Sequence, residues 1–398
     1  MKASLPFKYI TAVKNGKYYV IFDFKDENGK RKRKWVKTDL PEKCSKKALN
    51  AKVDEIAEEF RKEPARDCFV AKENGTFDVY IAGGLGVNPK LGVLVAENIE
   101  PEKTLYCVKT MVDVFTEYGN YEQRARSRSR FLQDTLGVEE LKRIFNEKLA
   151  QNLKEQKLDL IVEEETITKS GEADAELEKE KRIIPQKQKG LYAVSYAPIA
   201  GDIEPSLFGK LYQVLEPMQE VKIRLSPEER FYIINLTAQE AKKVLEVTKD
   251  GAKTVFEHST ACIGADICQV GIGKSRLLLQ ACVKRLREED LPEDALPAVH
   301  ISGCPSSCGS HQTAVIGLRG GKKPTPEGPK FAFALYENGS DKPGEEGFGT
   351  EVGVLLEEDI PEFFVDLAHA VKQEGMSFKE YYNKHPECIK ETAKKYYS

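Results

Sequence analysis

The chain has 398 residues, enough for two or three domains with cores of their own. Its 61 Lys and Arg almost balance 64 Asp and Glu, and a formal charge of −3 exerts no general pull toward nucleic acid or an anionic membrane. No run of about 18 apolar residues occurs, and the N-terminus lacks the apolar stretch of a secretory signal, so a cytoplasmic protein without a membrane span is expected.

Charge is uneven along the chain. Residues 1–64 sum to about +7, which leaves the remainder acidic. Residues 7–38 alternate as strands do, with Asn15-Gly16 and Asn28-Gly29 between the runs. Asn-Gly accepts the positive φ of tight hairpins, so three antiparallel strands are predicted. Ser45–Glu63 follows as a helix with Ala48, Val53, Ile56 and Phe60 on its apolar stripe, closing a module over 1–64. A second unit over 65–161 has a strand, Thr76–Gly86, running into the glycine turn "GGLGVNP". That turn lacks the spacing and the Lys-Ser/Thr of a phosphate loop. Helices are predicted over 102–119 and 124–153. Residues 162–188 are charged and read as a linker. In 189–255, strands at "LYAVSYAPI", "VKIRLS" and "RFYIINL" alternate with helices at "EPSLFGKLYQVLEPM" and "TAQEAKKVLEVT", which makes a mixed α/β unit. A last unit, 256–398, carries the cysteine loops. "GVLVAENIEPE" at 92–102 resembles "GVLLEEDIPE" at 353–362, each followed by an amphipathic helix, so two related halves are expected.

Nine cysteines in such a chain point to metal or redox chemistry for some of them rather than to a disulfide framework. Cys262 and Cys268 have five residues between them; after thirty-five more come Cys304 and Cys308, with three residues between them. Four thiolates in two close pairs suit a cubane [4Fe–4S] cluster, one per iron. A zinc knuckle prefers C-x2-C, where a tight turn offers both thiolates to one small ion. The alternative of unrelated buried thiols must explain why these four sit in two Gly- and Ser-rich loops. Cys44, Cys68, Cys107, Cys282 and Cys388 lack such surroundings and read as packing or surface thiols.

"TACIGADIC" with "ISGCPSSCGSHQTAVIGLRG" resembles the paired cysteine signature of siroheme-dependent sulfite and nitrite reductases, and the likeness covers most of residues 66–398. The resemblance implies a pseudo-twofold α/β (α+β) protein with a ferredoxin-like half-domain at 189–255 and a [4Fe–4S]/siroheme domain at 256–398. It implies Cys262, Cys268, Cys304 and Cys308 as cluster ligands, with Cys308 also bridging to the siroheme iron. It implies six-electron reduction of sulfite to sulfide or of nitrite to ammonia, with electrons from a ferredoxin or a flavoprotein. Arg124 and Arg128 in "RARSRSR", and Arg224, are expected contacts for the siroheme carboxylates. His311 is explained by the likeness at "CGSHQ" without a metal role, and Ser306 stands where the family often has Asn.

The family also implies a first ferredoxin-like half-domain and an arginine- and lysine-bearing segment that no stretch here resembles. Residues 1–64 instead resemble the arm-type DNA-binding domain of tyrosine-recombinase integrases, which would make Arg31, Lys32, Arg33, Lys34, Trp35 and Lys37 DNA contacts. An alternative expectation is therefore an electron-transfer or vestigial iron–sulfur protein without turnover.

Overall fold

The computed structural model describes residues 8–14, 17–25, 31–41, 67–161, 166–342 and 346–397. Strands β1 (Lys8–Lys14), β2 (Lys17–Lys25) and β3 (Arg31–Pro41) form an antiparallel meander, with Lys14 opposite Lys17 and Lys25 opposite Arg31. This is the sheet expected from the Asn-Gly placements. The helix expected over Ser45–Glu63 lies outside the described residues.

A second antiparallel sheet follows, from β4 (Cys68–Ala71), β5 (Phe77–Ile81) and β6 (Val93–Ile99). Helix α1 (Thr104–Tyr118) packs with it. The predicted helix over 124–153 is interrupted. Arg124–Arg126 and Ser129–Phe131 are single 3-10 turns, Arg128 between them is extended (φ −144°, ψ 148°), and regular helix begins only with α2 (Leu132–Leu136) and α3 (Val138–Glu155). Four arginines within seven residues repel one another at helical spacing, and the intervening serines compete for backbone groups. Leu141, Phe145 and Leu149, four apart on α3, bury against Val79, Ile81 and Val93 of the sheet. Each contributes about 1.5–3 kcal/mol of transfer free energy.

The third sheet has the order β7-β8-β10-β9 and is antiparallel throughout: β7 (Ile183–Pro185), β8 (Tyr192–Tyr196), β9 (Lys222–Leu225) and β10 (Phe231–Leu236). Helices α4 (Pro205–Leu215) and α5 (Ala238–Val247) cover it, the latter opened by a capping box between Thr237 and Glu240. The charged stretch before it is partly structural, because Leu177 and Ile183 are buried in this core.

The cysteine-bearing part is built on a five-stranded sheet: β11 (Thr260–Ala261), β12 (Val299–Ser302), β13 (Ile316–Thr325), β14 (Gly328–Glu337) and β15 (Thr350–Leu356). The first three strands are parallel and the last two pairings antiparallel. Helix α6 (Ser275–Leu286) connects β11 to β12, while α7 (Ile360–Gln373), α8 (Phe378–Lys384) and α9 (Cys388–Ala393) complete the core around Phe333, Phe363 and Leu367. The sequence repeat has a structural counterpart. β6, a 3-10 turn (Pro101–Lys103) and α1 run in the same succession as β15, a 3-10 turn (Glu357–Asp359) and α7. Among the described residues no helix is long and apolar enough to cross a membrane.

Candidate metal centre

Two parallel strands bring the cysteine pairs together. β11 and β12 lie side by side, with Thr260 opposite His300 and Ala261 opposite Ile301. Cys262 is the first residue beyond β11, and Cys304 follows β12 by one glycine. The loops leave adjacent carboxyl ends, where α/β sheets offer their sites. The thirty-five residues between Cys268 and Cys304 include the crossover helix α6.

Backbone bonds fix the loops against each other. Cys262 N donates to Ile301 O (3.0 Å), and Gly303 O accepts from Ile272 N (3.0 Å) and Gly273 N (2.7 Å). Gly303 N donates to Cys262 Sγ (3.1 Å), and Ser275, the first residue of α6, donates from Oγ to Cys262 O (2.7 Å) while lying 3.1 Å from Cys262 Sγ. Gly303 is required by close approach, since a Cβ there would stand 2.5 Å from Gly273 O. Cys262, Cys268 and Cys304 are half-buried, and Cys308 is exposed. Burial raises the Cys308 thiol above its ordinary value, and the neighbouring thiols of Cys262, Cys304 and Cys268 raise it further, in that order. The other three thiols are therefore within electrostatic reach of Cys308. Among the described residues no three His, Cys, Asp or Glu side chains are set to hold a single metal ion.

The turn at Cys308 is strained and held. Ser307 and Ser310 both adopt left-handed φ (+60° and +57°), a conformation that costs a non-glycine residue about 1–2 kcal/mol. Ser307 Oγ donates to Gln312 Oε1, and Gln312 Nε2 donates to Gly86 O (2.7 Å). His311 is fully buried, its Nδ1 3.2 Å from Ser307 Oγ and its ring 5.1 Å from that of Tyr336. Burial and then the positive neighbours Arg319 and His300 push it down to about 4, so it is neutral at ordinary pH.

The glycine turn after β5 reaches this site. Gly84 and Lys90 exchange both backbone bonds (2.9 and 2.8 Å), closing the turn, and Asp67 accepts from Gly83 N (2.8 Å). Gly86 has φ +107°, and a Cβ on it would lie 3.6 Å from Arg130 Nη2 and 3.8 Å from Ser306 O. Arg130 thus stands beside the Cys304–Cys308 turn. It is partly buried, its Nε has no hydrogen-bond partner, and its guanidinium is held below its ordinary value by burial and by Arg128.

Of the arginines predicted as carboxylate contacts, Arg124 is exposed in the first 3-10 turn, and Arg128 is exposed with Nη1 donating to the adjacent Ser127 O (2.7 Å). Arg224 is exposed on edge strand β9, opposite Tyr232. The arginine whose side chain lies against Gly84 and Gly86 is Arg130, which the sequence reading passed over within the same "RARSRSR" run. Gln312 and Ser275 were likewise missed, and only "CGSHQ" and the step from loop to α6 could have signalled them. Arg31, Lys32, Arg33, Lys34, Trp35 and Lys37 lie on edge strand β3 of the small sheet.

The sequence profile described as "Nitrite and sulphite reductase 4Fe-4S domain" matches residues 12–153, from β1 into α3 and ahead of the cysteine loops. "Sulfite reductase [ferredoxin] 1" of Mycolicibacterium paratuberculosis is 25% identical over 254 residues, covering 61% of this chain and 43% of that protein. "Assimilatory ferredoxin-dependent nitrite reductase" of Haloferax mediterranei is 26% identical over 271 residues, covering 65% of this chain and 45% of that one. The chain is thus similar in sequence to nitrite and sulphite reductases. The fold agrees: the solved Mycobacterium tuberculosis NirA protein superposes with a TM-score of 0.63 at 21% identity, over 84% of this chain and 62% of that one. The chain thus spans less than half the length of the curated relatives it matches. The profile match begins inside the stretch that resembles an integrase arm, and DNA as a partner finds no support in these relatives.

Proposed function

We propose that the chain holds a [4Fe–4S] cluster on Cys262, Cys268, Cys304 and Cys308 with siroheme beside it, and that it reduces sulfite or nitrite with electrons from a ferredoxin. The observation that carries this reading is the convergence of four thiols from two parallel strand ends, three half-buried and Cys308 exposed. That donor set suits a cluster: soft thiolates on glycine- and serine-rich loops, one of them accepting from a backbone N–H. Cys308, the exposed one, would be the thiolate that also serves the siroheme iron, as the resemblance at its loop implies. When bound, the two groups supply an electron store and an iron with a free position for a small anion.

The chain's own residues prepare that chemistry. Gly303 N–H donates to Cys262 Sγ at 3.1 Å, the kind of backbone donor that steadies a ligand sulfur, and Ser275 fixes the same residue through its carbonyl. Arg130 offers a fixed cation whose Nε lacks a partner, which suits a carboxylate of the macrocycle. Ile263, Ile267 and Val270 stand exposed on the loop that carries Cys262 and Cys268, an apolar rim that would be covered by a bound group or donor. The donor is taken as a ferredoxin because the relatives' names carry that word.

The test is an anaerobic visible spectrum with iron and acid-labile sulfide counts, on protein made in cells that synthesise siroheme. Siroheme bands with about five irons per chain support the reading, followed by sulfite- or nitrite-dependent oxidation of a reduced dye. A broad iron–sulfur band with about four irons and no dye oxidation would leave an electron-transfer protein, and protein without iron would overturn the reading.

A further inference from the structure

Gln312 belongs to neither cysteine pair, yet it joins the Cys304–Cys308 turn to a loop 226 residues earlier in the chain. Its amide is read from both ends. Gly86 O can only accept, so the nitrogen must face it, at 2.7 Å; the oxygen then takes the Ser307 hydroxyl. The bond to Gly86 is buried, and Gln312 is itself 8% exposed. Its backbone is pinned too, with Gly349 N donating to Gln312 O (2.7 Å). Ser307, at φ +60° and 3% exposed, directly precedes Cys308. On the far side, Gly86 abuts Ser306 O and Arg130, and its loop is anchored at Gly83 by Asp67.

We propose that Gln312 is a positioning residue that couples the order of the Gly83–Lys90 loop to the retention of the cluster by Cys308. The left-handed Ser307 keeps its conformation while its hydroxyl has the Gln312 oxygen, and Gln312 holds its rotamer while its nitrogen has Gly86 O. Loosening the loop therefore loosens the Cys308 turn, and loss of the cluster loosens the loop, because a coupling between two sites acts in both directions. This inference rests on the cluster reading above.

The experiment uses the full chain loaded with its cluster. Gln312→Glu keeps the side-chain size and the acceptor for Ser307 but removes the donor to Gly86 and faces its carbonyl with a carboxylate. Asp67→Asn weakens the same loop from its other end without touching any cysteine. Both variants are expected to release iron to a chelator about tenfold faster than the parent, the equivalent of one buried hydrogen bond, and to speed amide exchange over residues 83–90. The EPR line shape of the reduced cluster should change in Gln312→Glu, a readout that a general loss of stability would not move. If Gln312→Glu loads a full cluster, releases it at the parent rate and keeps the parent line shape, the coupling is overturned while the cluster reading stands. Faster release with unchanged exchange over 83–90 also overturns it. A parent chain that takes up no cluster overturns the functional reading and this inference together.

Discussion

A methyl group at position 303 should separate the two cysteine loops. In the parent, Gly303 O accepts from Gly273 N at 2.7 Å and Ile272 N at 3.0 Å, and Gly303 N reaches Cys262 Sγ at 3.1 Å. A Cβ would lie 2.5 Å from Gly273 O, a backbone atom that no rotamer change can move. An ordinary contact needs about 0.5–1 Å more, and wedging an extra methyl into a packed site costs about 1–3 kcal/mol. That shift also stretches the two bonds to Gly303 O, each worth about 1 kcal/mol. Gly303→Ala should therefore lose about 2–5 kcal/mol, a large part of the 5–15 kcal/mol that holds a typical domain. Denaturant unfolding of the chelated chain gives the first number, and iron and sulfide counts on the loaded chain give the second; both should fall. An unfolding midpoint within about 0.5 kcal/mol of the parent, with the full iron count, would refute the idea that this contact sets the spacing of the loops.

Gly209→Ala serves as the opposite case. Gly209 lies exposed inside α4 with nothing within 4 Å of a Cβ, so alanine should stabilise by about 0.5–1 kcal/mol in the same unfolding assay. His311 gives a pH dependence with a definite sign. Its folded value, about 4, lies below the ordinary 6.5, so the fold keeps it neutral; that stability is complete above 6.5 and is lost as pH falls toward 4. About 2 kcal/mol should disappear between pH 7 and 5, and His311→Gln should lack that part of the slope in unfolding curves run at both pH values. Arg130→Leu should weaken siroheme retention about tenfold or more with the acid-labile sulfide count unchanged, whereas Arg124→Leu, at an exposed position, should leave both as they are; paired spectra and sulfide counts check this.

Local rules carried much of this protein. Asn-Gly steps between alternating runs were enough for the meander β1–β3, because turn chemistry is set by neighbouring residues. The repeat at 92–102 and 353–362 was legible for the same reason, since an apolar strand followed by a proline at a helix start is a local pattern. The cysteines could be grouped from spacing and from the glycines and serines around them. What spacing could not supply was the pairing of β11 with β12 that makes two loops, thirty-five residues apart, into one site. Nor could it distinguish among the arginines of "RARSRSR". A continuous helix would have placed Arg124 and Arg128 on one face; the 3-10 turns instead leave them exposed and turn Arg130 toward Gly84 and Gly86. The bond from Gln312 to Gly86 was beyond any sequence rule, because it depends on two loops meeting from opposite ends of the chain. Composition and short-range pattern thus determined the elements and the ligand type. The long-range packing of strand ends and glycine turns decided which side chains surround the thiols, because buried polar groups take whichever partners the assembled fold brings within hydrogen-bond reach.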